Sequence, residues 1–388
     1  MAFKQVTVIL ETEASLYIHI PFCASLCDYC DFYSININNV NDDYINAYLS
    51  ALLTDIKNQI DNFSVKKIPT AYIGGGTPSV LGNKIEILLD GLKKIEIFSP
   101  VEFTIEANPE SINEEFLSLC REGGVTRLSL GIQTFNEKSR VALNRTAGVT
   151  EEKLYLATRF FPDSLSFDLI TGLPFQTEKN ILKDIKSLLA YKPSHISLYS
   201  LTIENNTPLK DKIKNKTVLL PDSECADSIW LSGKEALLKE GFDHYEISNF
   251  ARGGKECLHN IRYWLMQNWI ASGPSASGTI IDEDAAAAVR YTNINDINAY
   301  IKAISNEQQQ SLLQNVNFEK LDRATLLKES ILMGFRYKEG PDPVLFKKRF
   351  GFTVEQCIGK TLNKWKDKDK MLFLNSFLCD AFFELEKI

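Results

Sequence analysis

Three cysteines stand close together near the start of the chain, and their spacing is typical of a metal site. Cys23, Cys27 and Cys30 form a CxxxCxxC run that follows an apolar stretch at residues 16–20. Three thiolates can hold three irons of a cubane iron–sulfur cluster and leave the fourth iron open to another ligand. A structural zinc site takes four protein ligands, so zinc would need a distant fourth group. A disulfide would leave one of the three cysteines unpaired. The run therefore predicts a 4Fe-4S cluster, with zinc as the alternative.

The composition predicts a protein of the reducing cytoplasm. The chain has 388 residues, of which 44% are hydrophobic, and its net charge is −7. This length suits one large domain and a smaller one. No long basic block is present, so nucleic acid is not an expected partner. The amino-terminal residues lack the pattern of a signal peptide, and no apolar run approaches ~18 residues, so we expect no transmembrane segment.

Six short apolar segments alternate with helical patterns along the first half of the chain. They predict strands at residues 16–20, 70–73, 101–106, 127–130, 165–170 and 195–201. Repeated β-α units favour a parallel sheet. The periodicity alone fits either a partial barrel or an open sheet.

Polar residues follow or end most of these predicted strands. They are the three glycines at residues 74–76, Glu106, Gln133 and Asp168. The carboxyl ends of parallel strands meet at one edge in barrels and in open sheets. We therefore expect one pocket to collect these groups together with the cysteines.

The pattern changes in the second half of the chain. Residues 282–289 contain four alanines and predict a loop or short helix, whereas residues 291–317 include a polar, Gln-rich stretch and predict a linker. Residues 318–388 then predict a separate unit.

Several motifs in order along the chain resemble one known family. The cysteine run, with Tyr29 before its last cysteine, is similar to that of the radical S-adenosylmethionine superfamily. The other motifs resemble its coproporphyrinogen-oxidase-like branch: Tyr17-Ile-His-Ile-Pro-Phe-Cys, Gly74-Gly-Gly-Thr-Pro-Ser, Glu106-Ala-Asn-Pro-Glu, Gly131-Ile-Gln-Thr-Phe, Asp168-Leu-Ile-Thr-Gly-Leu-Pro and Tyr245-Glu-Ile-Ser-Asn-Phe-Ala. The resemblance implies an α/β fold, a partial (β/α)6 TIM-like barrel over residues 1–290 with a smaller, mainly helical carboxyl-terminal domain over residues 318–388.

The resemblance also implies roles for individual residues. Cys23, Cys27 and Cys30 would ligate the 4Fe-4S cluster, and S-adenosylmethionine would bind its open iron. The other residues implied to contact this cofactor are Tyr17, Gly75, Gly76, Thr77, Glu106, Gln133, Arg145 and Asp168. A low-potential electron donor such as a flavodoxin or ferredoxin is implied as a partner.

A later motif, His259-Asn-Ile-Arg-Tyr-Trp264, resembles the HNxxYW signature of HemW-type haem chaperones. Because imidazole is a good axial ligand of haem iron and aromatic rings suit a porphyrin, His259 is the candidate haem ligand. A packed aromatic helix is the alternative reading. The expected function is a haem chaperone that binds haem and transfers it to an acceptor protein. An oxygen-independent coproporphyrinogen III oxidase, which turns propionates into vinyl groups, or another radical S-adenosylmethionine oxidoreductase is the alternative.

The sequence departs from the family patterns at Phe32 and in the run from Ala271 to Gly278. Phe32 stands where the oxidase pattern has a further cysteine, which favours the chaperone. In the run from Ala271 to Gly278, Ser275 replaces a family glycine and Ser277 replaces a family histidine.

Overall fold

Six parallel strands form the centre of the fold. The structure, a computed structural model, describes residues 12–145, 148–305 and 316–386. The strands are β1 (Ser15–Ile20), β2 (Thr70–Gly75), β3 (Glu102–Ala107), β4 (Arg127–Gln133), β5 (Leu165–Thr171) and β6 (His195–Ser200). Each strand pairs in parallel with the next along the chain. This order confirms the predicted β-α units and is the order of a partial (β/α)6 barrel.

Helices connect the strands and cover the outer face of the sheet. They are α1 (Asp42–Asn62), α2 (Ile85–Lys93), α3 (Glu114–Glu122), α4 (Glu137–Ala142), α5 (Glu151–Phe160), α6 (Glu178–Leu189), α7 (Pro208–Lys214) and α8 (Ser223–Lys239). In β1, Leu16 and Ile18 alternate with Tyr17 and join the apolar core that contains Leu49 of α1. Since strand side chains alternate between faces, the intervening polar residues point into the barrel.

Further strands cover both edges of the parallel sheet. The hairpin β7 (Asp243–Glu246) and β8 (Asn249–Ala251) lies against β6. At the other edge β9 (Trp269–Ser272) pairs in parallel with β1 and is followed by the antiparallel strands β10 (Ser277–Asp282), β11 (Ala287–Asn293) and β12 (Val316–Leu321). The expected loop or short helix at residues 282–289 is correct only for the turn at residues 283–286, because Asp282 ends β10 and residues 287–289 begin β11. Ala288 is buried there against the carboxyl-terminal helices.

The segment predicted as a linker, residues 291–317, differs from that expectation at both ends. Residues 291–293 complete β11, and α10 (Ile297–Ser305) buries Ile297 and Tyr300 in the main core. Residues 316 and 317 begin β12. The Gln-rich stretch at residues 306–315 lies outside the described residues.

The carboxyl-terminal region is mainly helical. It contains α11 (Arg323–Gly334), α12 (Pro343–Phe350), α13 (Val354–Lys364) and α14 (Leu374–Leu385). These helices share a separate apolar cluster with Ile281 of β10 and Leu321 of β12, so they pack on the antiparallel end of the large sheet. Arg349 adds a buried ion pair to Glu283 at 2.7 Å. In the ranges that the structure describes, no helix is both long and apolar enough to span a membrane.

Ser275 has a backbone conformation that favours glycine. Ser275 has φ of 61°, in the left-handed region that L-residues adopt at a cost of ~1–2 kcal/mol. Ser275→Gly relieves this strain but adds ~0.4–1 kcal/mol of unfolded-chain entropy. We expect the variant to raise the free energy of unfolding by about 0.5 kcal/mol, measured by urea denaturation. A lower free energy of unfolding would contradict this account.

Candidate functional site

The cysteine loop begins directly after β1. Cys23 ends a short strand, Phe22–Cys23, and the Cys30 amide donates to the Cys27 carbonyl at 3.2 Å. Cys23 is buried, whereas Cys27 and Cys30 are partly exposed. Burial raises the pKa of Cys23 and raises that of Cys30 to about 11, and both are raised further by the charge of Cys27. The three thiols are therefore neighbours in space as well as in sequence.

The thiols are not arranged as ligands of one ion. All eight cysteines of the chain are free. Within the described ranges, no group of three His, Cys, Asp or Glu side chains is placed to hold a single metal ion. Three neighbouring thiols without a fourth protein ligand suit a cluster of several irons better than structural zinc.

The glycine loop after β2 packs directly on the cysteine loop. The Gly76 amide donates to the Ile20 carbonyl at 2.8 Å, and the Thr77 amide donates to the Phe22 carbonyl at 2.7 Å. The Thr77 hydroxyl also donates to Cys23 Sγ at 3.6 Å. A Cβ atom at Gly76 would lie 2.6 Å from the Phe22 carbonyl oxygen and 3.0 Å from Cys23 Sγ. Only glycine fits this contact, so the loop and the cysteines hold each other in place.

Arg145 joins the cysteine loop to two strands. Its guanidinium is buried and donates to the Gly131 carbonyl at 2.7 Å, to Asn108 Oδ1 at 2.9 Å and to Cys27 Sγ at 3.8 Å. Asn108 in turn donates to the Thr77 hydroxyl at 3.1 Å. Asn108 is not among the site residues predicted from the sequence, although it lies in the polar Glu106-Ala-Asn-Pro-Glu run after a predicted strand, which is the signal that indicates it.

Two carboxyl groups lie inside the barrel below the glycine loop. Glu106 accepts from the Tyr72 hydroxyl at 2.7 Å and from the Gly75 amide at 3.3 Å. Burial, with a further contribution from the charge of Asp168, raises the pKa of Glu106 to about 7. Asp168 accepts from the Ser129 hydroxyl at 3.0 Å, and burial raises its pKa as well. Both carboxyl groups are therefore protonated more readily than exposed ones. A hydrogen-bond donor from a bound molecule would favour their charged forms.

Tyr17 and Gln133 complete the predicted set at this end of the barrel. The Tyr17 hydroxyl is 3.1 Å from His19 Nδ1, and its ring stacks on Tyr72 with centroids 6.3 Å apart. Gln133 has φ of 64°, and its buried Oε1 atom has no hydrogen-bond partner within the described chain. Because a buried acceptor is normally paired, Gln133 offers a place for a donor of a bound molecule. Carboxylates, an unpaired amide oxygen and a guanidinium together fit the amine, ribose hydroxyls and carboxylate of S-adenosylmethionine.

His259 lies at the opposite end of the barrel from the cysteines. It is buried in α9 (Leu258–Trp264), with Nδ1 2.9 Å from the Thr70 hydroxyl and Nε2 2.9 Å from the Tyr263 hydroxyl. Burial lowers its pKa to about 3. An axial ligand of haem needs a free ring nitrogen that faces space for a porphyrin. The prediction of His259 as the haem ligand is therefore not supported by this structure, and the alternative of a packed aromatic helix describes it.

A cavity of about 650 Å³ lies away from all of these residues. It is enclosed by α1, α10 and the strands β10–β12, and its walls include Phe63 and Tyr291, whose rings stack 5.3 Å apart. None of the cysteines lines it. The chemistry is concentrated instead at the carboxyl ends of β1–β5.

Comparison with known proteins identifies the family of this arrangement. The family model described as the Radical SAM superfamily matches residues 17–188. The heme chaperone HemW of Lactococcus lactis is 32% identical over 361 residues, which cover 92% of this chain and 90% of that protein. The chain belongs to the HemW family of radical SAM proteins. HemW of Escherichia coli is 35% identical over 276 residues, covering 70% of this chain and 71% of the relative.

A solved structure supports the same fold. Coproporphyrinogen III oxidase (HemN) from Escherichia coli, a radical SAM enzyme, aligns with a TM-score of 0.75 at 22% identity and covers 96% of this chain and 90% of its own. At this identity the likeness shows the fold alone. The predicted radical SAM barrel is thereby confirmed, and the radical SAM domain implies a 4Fe-4S cluster and S-adenosylmethionine.

Proposed function

We propose that this protein is a haem chaperone that binds a 4Fe-4S cluster, S-adenosylmethionine and haem, and delivers haem to an acceptor protein. The observation that carries the proposal is the likeness to the Lactococcus lactis heme chaperone over 92% of this chain and 90% of the relative. A match over 92% of the chain must extend beyond the barrel into the carboxyl-terminal region. A low-potential flavodoxin or ferredoxin is the proposed electron donor.

The cofactor site supports the first part of the proposal. Cys23, Cys27 and Cys30 would hold the cluster, which when bound supplies electrons and an open iron. Gly76 brings the backbone of the glycine loop against Cys23. Arg145 lies beside Cys27 and would pair with the carboxylate of the cofactor. The remaining contacts to S-adenosylmethionine are proposed for Tyr17, Gly75, Thr77, Glu106, Gln133 and Asp168.

Phe32 supports a chaperone rather than an oxidase. It follows the cysteine loop at the position where the oxidase pattern has a cysteine, and its side chain is 64% exposed. A phenyl ring can neither ligate iron nor transfer a proton or an electron pair. Its surface is apolar, which suits contact with a flat apolar molecule or a partner protein.

Haem titration beside a turnover assay tests the proposal. We expect the anaerobically reconstituted protein to develop a Soret band that saturates with haem, and to pass that haem to apomyoglobin as a general acceptor. With coproporphyrinogen III, S-adenosylmethionine and a strong reductant, we expect no decarboxylated product by mass spectrometry. Conversion of propionates to vinyl groups would identify the oxidase instead, and failure to bind haem would reject the chaperone.

A further inference from the structure

The segment 255–263, which contains most of the HNxxYW motif, closes the amino end of the barrel; we call it the barrel floor. It contacts the first residue of three central strands. The Arg127 guanidinium donates to the Lys255 carbonyl at 3.1 Å. The Glu102 carboxylate accepts from the His259 amide at 2.9 Å, and Thr70 bonds the His259 ring. The floor is therefore fixed to β2, β3 and β4 by polar contacts that are buried.

Two further contacts extend this attachment across the barrel. Arg262 donates from Nε to the Ser15 hydroxyl at 2.7 Å, and the Thr70 hydroxyl donates to the same oxygen at 2.9 Å. The Ser15 hydroxyl thus joins β1 to the floor. The position of the His259 ring is determined from three sides, by Thr70, by Tyr263 and by its own backbone.

One side chain connects the barrel floor to the cofactor end. The Tyr72 ring lies 5.3 Å from the His259 ring, measured between centroids, and its hydroxyl donates to Glu106 Oε1 at 2.7 Å. Glu106 Oε2 accepts from the Gly75 amide at 3.3 Å. Tyr72 therefore stands between the HNxxYW helix and the glycine loop, in contact with the group on either side.

We propose that His259 and Tyr72 are positioning residues, which orient Glu106 from the opposite end of the barrel and thereby set the affinity for S-adenosylmethionine. The inference rests on the proposed cofactor site, but it does not depend on haem binding. It assigns the HNxxYW motif a role in holding the cofactor site instead of ligating haem iron.

The contacts of Glu106 explain why the loss of Tyr72 or His259 would change the affinity for S-adenosylmethionine. Glu106 is partly buried inside the barrel, and a carboxylate in such a place that loses a hydrogen bond is left with an unpaired oxygen. Tyr72 supplies that bond, and its ring is held in turn against His259 and Tyr17. Removing the His259 ring leaves a gap beside Tyr72, so the tyrosine hydroxyl gains freedom and Glu106 loses its fixed orientation.

Titration of the cluster-loaded protein with S-adenosylmethionine in a calorimeter tests the inference. We expect Tyr72→Phe to weaken the affinity by roughly tenfold, because one hydrogen bond to a charged group is lost. His259→Ala is expected to weaken it several-fold, and the double variant by less than the product of the two effects, because both act through Glu106. His259→Gln, which can still bond Thr70, should restore part of the affinity.

His244→Ala is the matched control. His244 is also a buried histidine with a lowered pKa, stacked on Phe250 at 4.4 Å, but it lies in β7 at the far edge of the sheet. Its loss should lower the free energy of unfolding without changing the affinity for S-adenosylmethionine. Equal weakening in His244→Ala and His259→Ala would show a general packing effect and overturn the inference.

The pH dependence of the affinity for S-adenosylmethionine distinguishes a positioning role of Tyr72 from a role in packing alone. The titratable groups that face Glu106 are Tyr17 of β1, Tyr72 of β2, Asp168 of β5 and Tyr199 of β6. Since the carboxylate form would accept from the cofactor, the affinity should fall as the pH falls through about 7. The bond from Tyr72 lowers the pKa of Glu106, so Tyr72→Phe should move the midpoint of this fall to higher pH.

Unchanged affinity and an unchanged midpoint in both Tyr72→Phe and His259→Ala would overturn the inference. Haem titration distinguishes failure of this inference from failure of the proposed function. We expect His259→Ala to give the same Soret band as the unaltered protein. Loss of the Soret band in that variant alone would identify His259 as the haem ligand and would also overturn the inference.

Discussion

The Cys27→Ala variant, reconstituted with iron and sulfide in the absence of oxygen, is expected to hold almost no iron or acid-labile sulfide. A cubane cluster at this site would be held by three thiolates only, so the loss of one would leave two corners without protein ligands. Cys27 also accepts a contact from the Arg145 guanidinium at 3.8 Å, so the substitution removes this contact as well. The broad visible absorption of the cluster should disappear with the iron.

Cys225→Ala is the control for this experiment. Cys225 is an exposed cysteine in α8, far along the chain from the three ligands, and its removal takes one thiol from the protein without touching the site. The control should keep the iron and sulfide content of the unaltered protein. Equal iron and sulfide in Cys27→Ala and the unaltered protein would disprove the cluster assignment.

Gly76→Ala is expected to disturb both folding and cluster loading. The added Cβ would lie 2.6 Å from the Phe22 carbonyl oxygen, 2.9 Å from the Ile20 carbonyl oxygen and 3.0 Å from Cys23 Sγ. Two of these neighbours are backbone atoms that cannot rotate away, so the glycine loop must move off the cysteine loop. Overpacking of this kind costs ~1–3 kcal/mol of unfolding free energy. Chemical denaturation of the apo protein and the iron content after reconstitution measure the two effects.

Gly359→Ala is the control, because it makes the same substitution where a Cβ atom has space. Gly359 lies in α13, and a Cβ atom there would meet no atom within 4 Å. Since Gly359 directly follows Ile358, whose backbone interrupts the helix with φ of −131°, alanine should change the stability little, and the variant should load a full cluster. Normal stability and iron content in Gly76→Ala would mean that the two loops do not depend on each other.

The sequence was sufficient for the parallel strands and for the cofactor end of the barrel, because both follow from local patterns. Alternation of apolar and polar residues marks a strand, and polar residues directly after each strand must meet at one edge of a parallel sheet. Cys23, Gly76 and Glu106 lie together for this reason. Arg145, which only the family resemblance implied, joins them through Asn108.

The sequence was not sufficient where the neighbours of a side chain decide its role. The motif around His259 shows which residue types stand together, but not that Thr70 and Tyr263 occupy both ring nitrogens. Tyr72 sits in an apolar strand and has the appearance of a core residue, since nothing local indicates its bond to Glu106. The alanines before Val289 carry no periodic signal, and only the strands beside them make a hairpin of that segment.

The barrel floor has a consequence for synthesis of the protein on the ribosome. All six parallel strands have been translated by residue 200, yet the groups that pair with Glu102 and Arg127 arrive only with residues 255–259. Until then the side chains of Glu102 and Arg127 lack the hydrogen bonds that they make to the backbone of this segment, and burial of polar groups without those bonds opposes closure of the barrel. The barrel is thus completed from its far end, by a stretch of polypeptide that emerges more than fifty residues after its last strand.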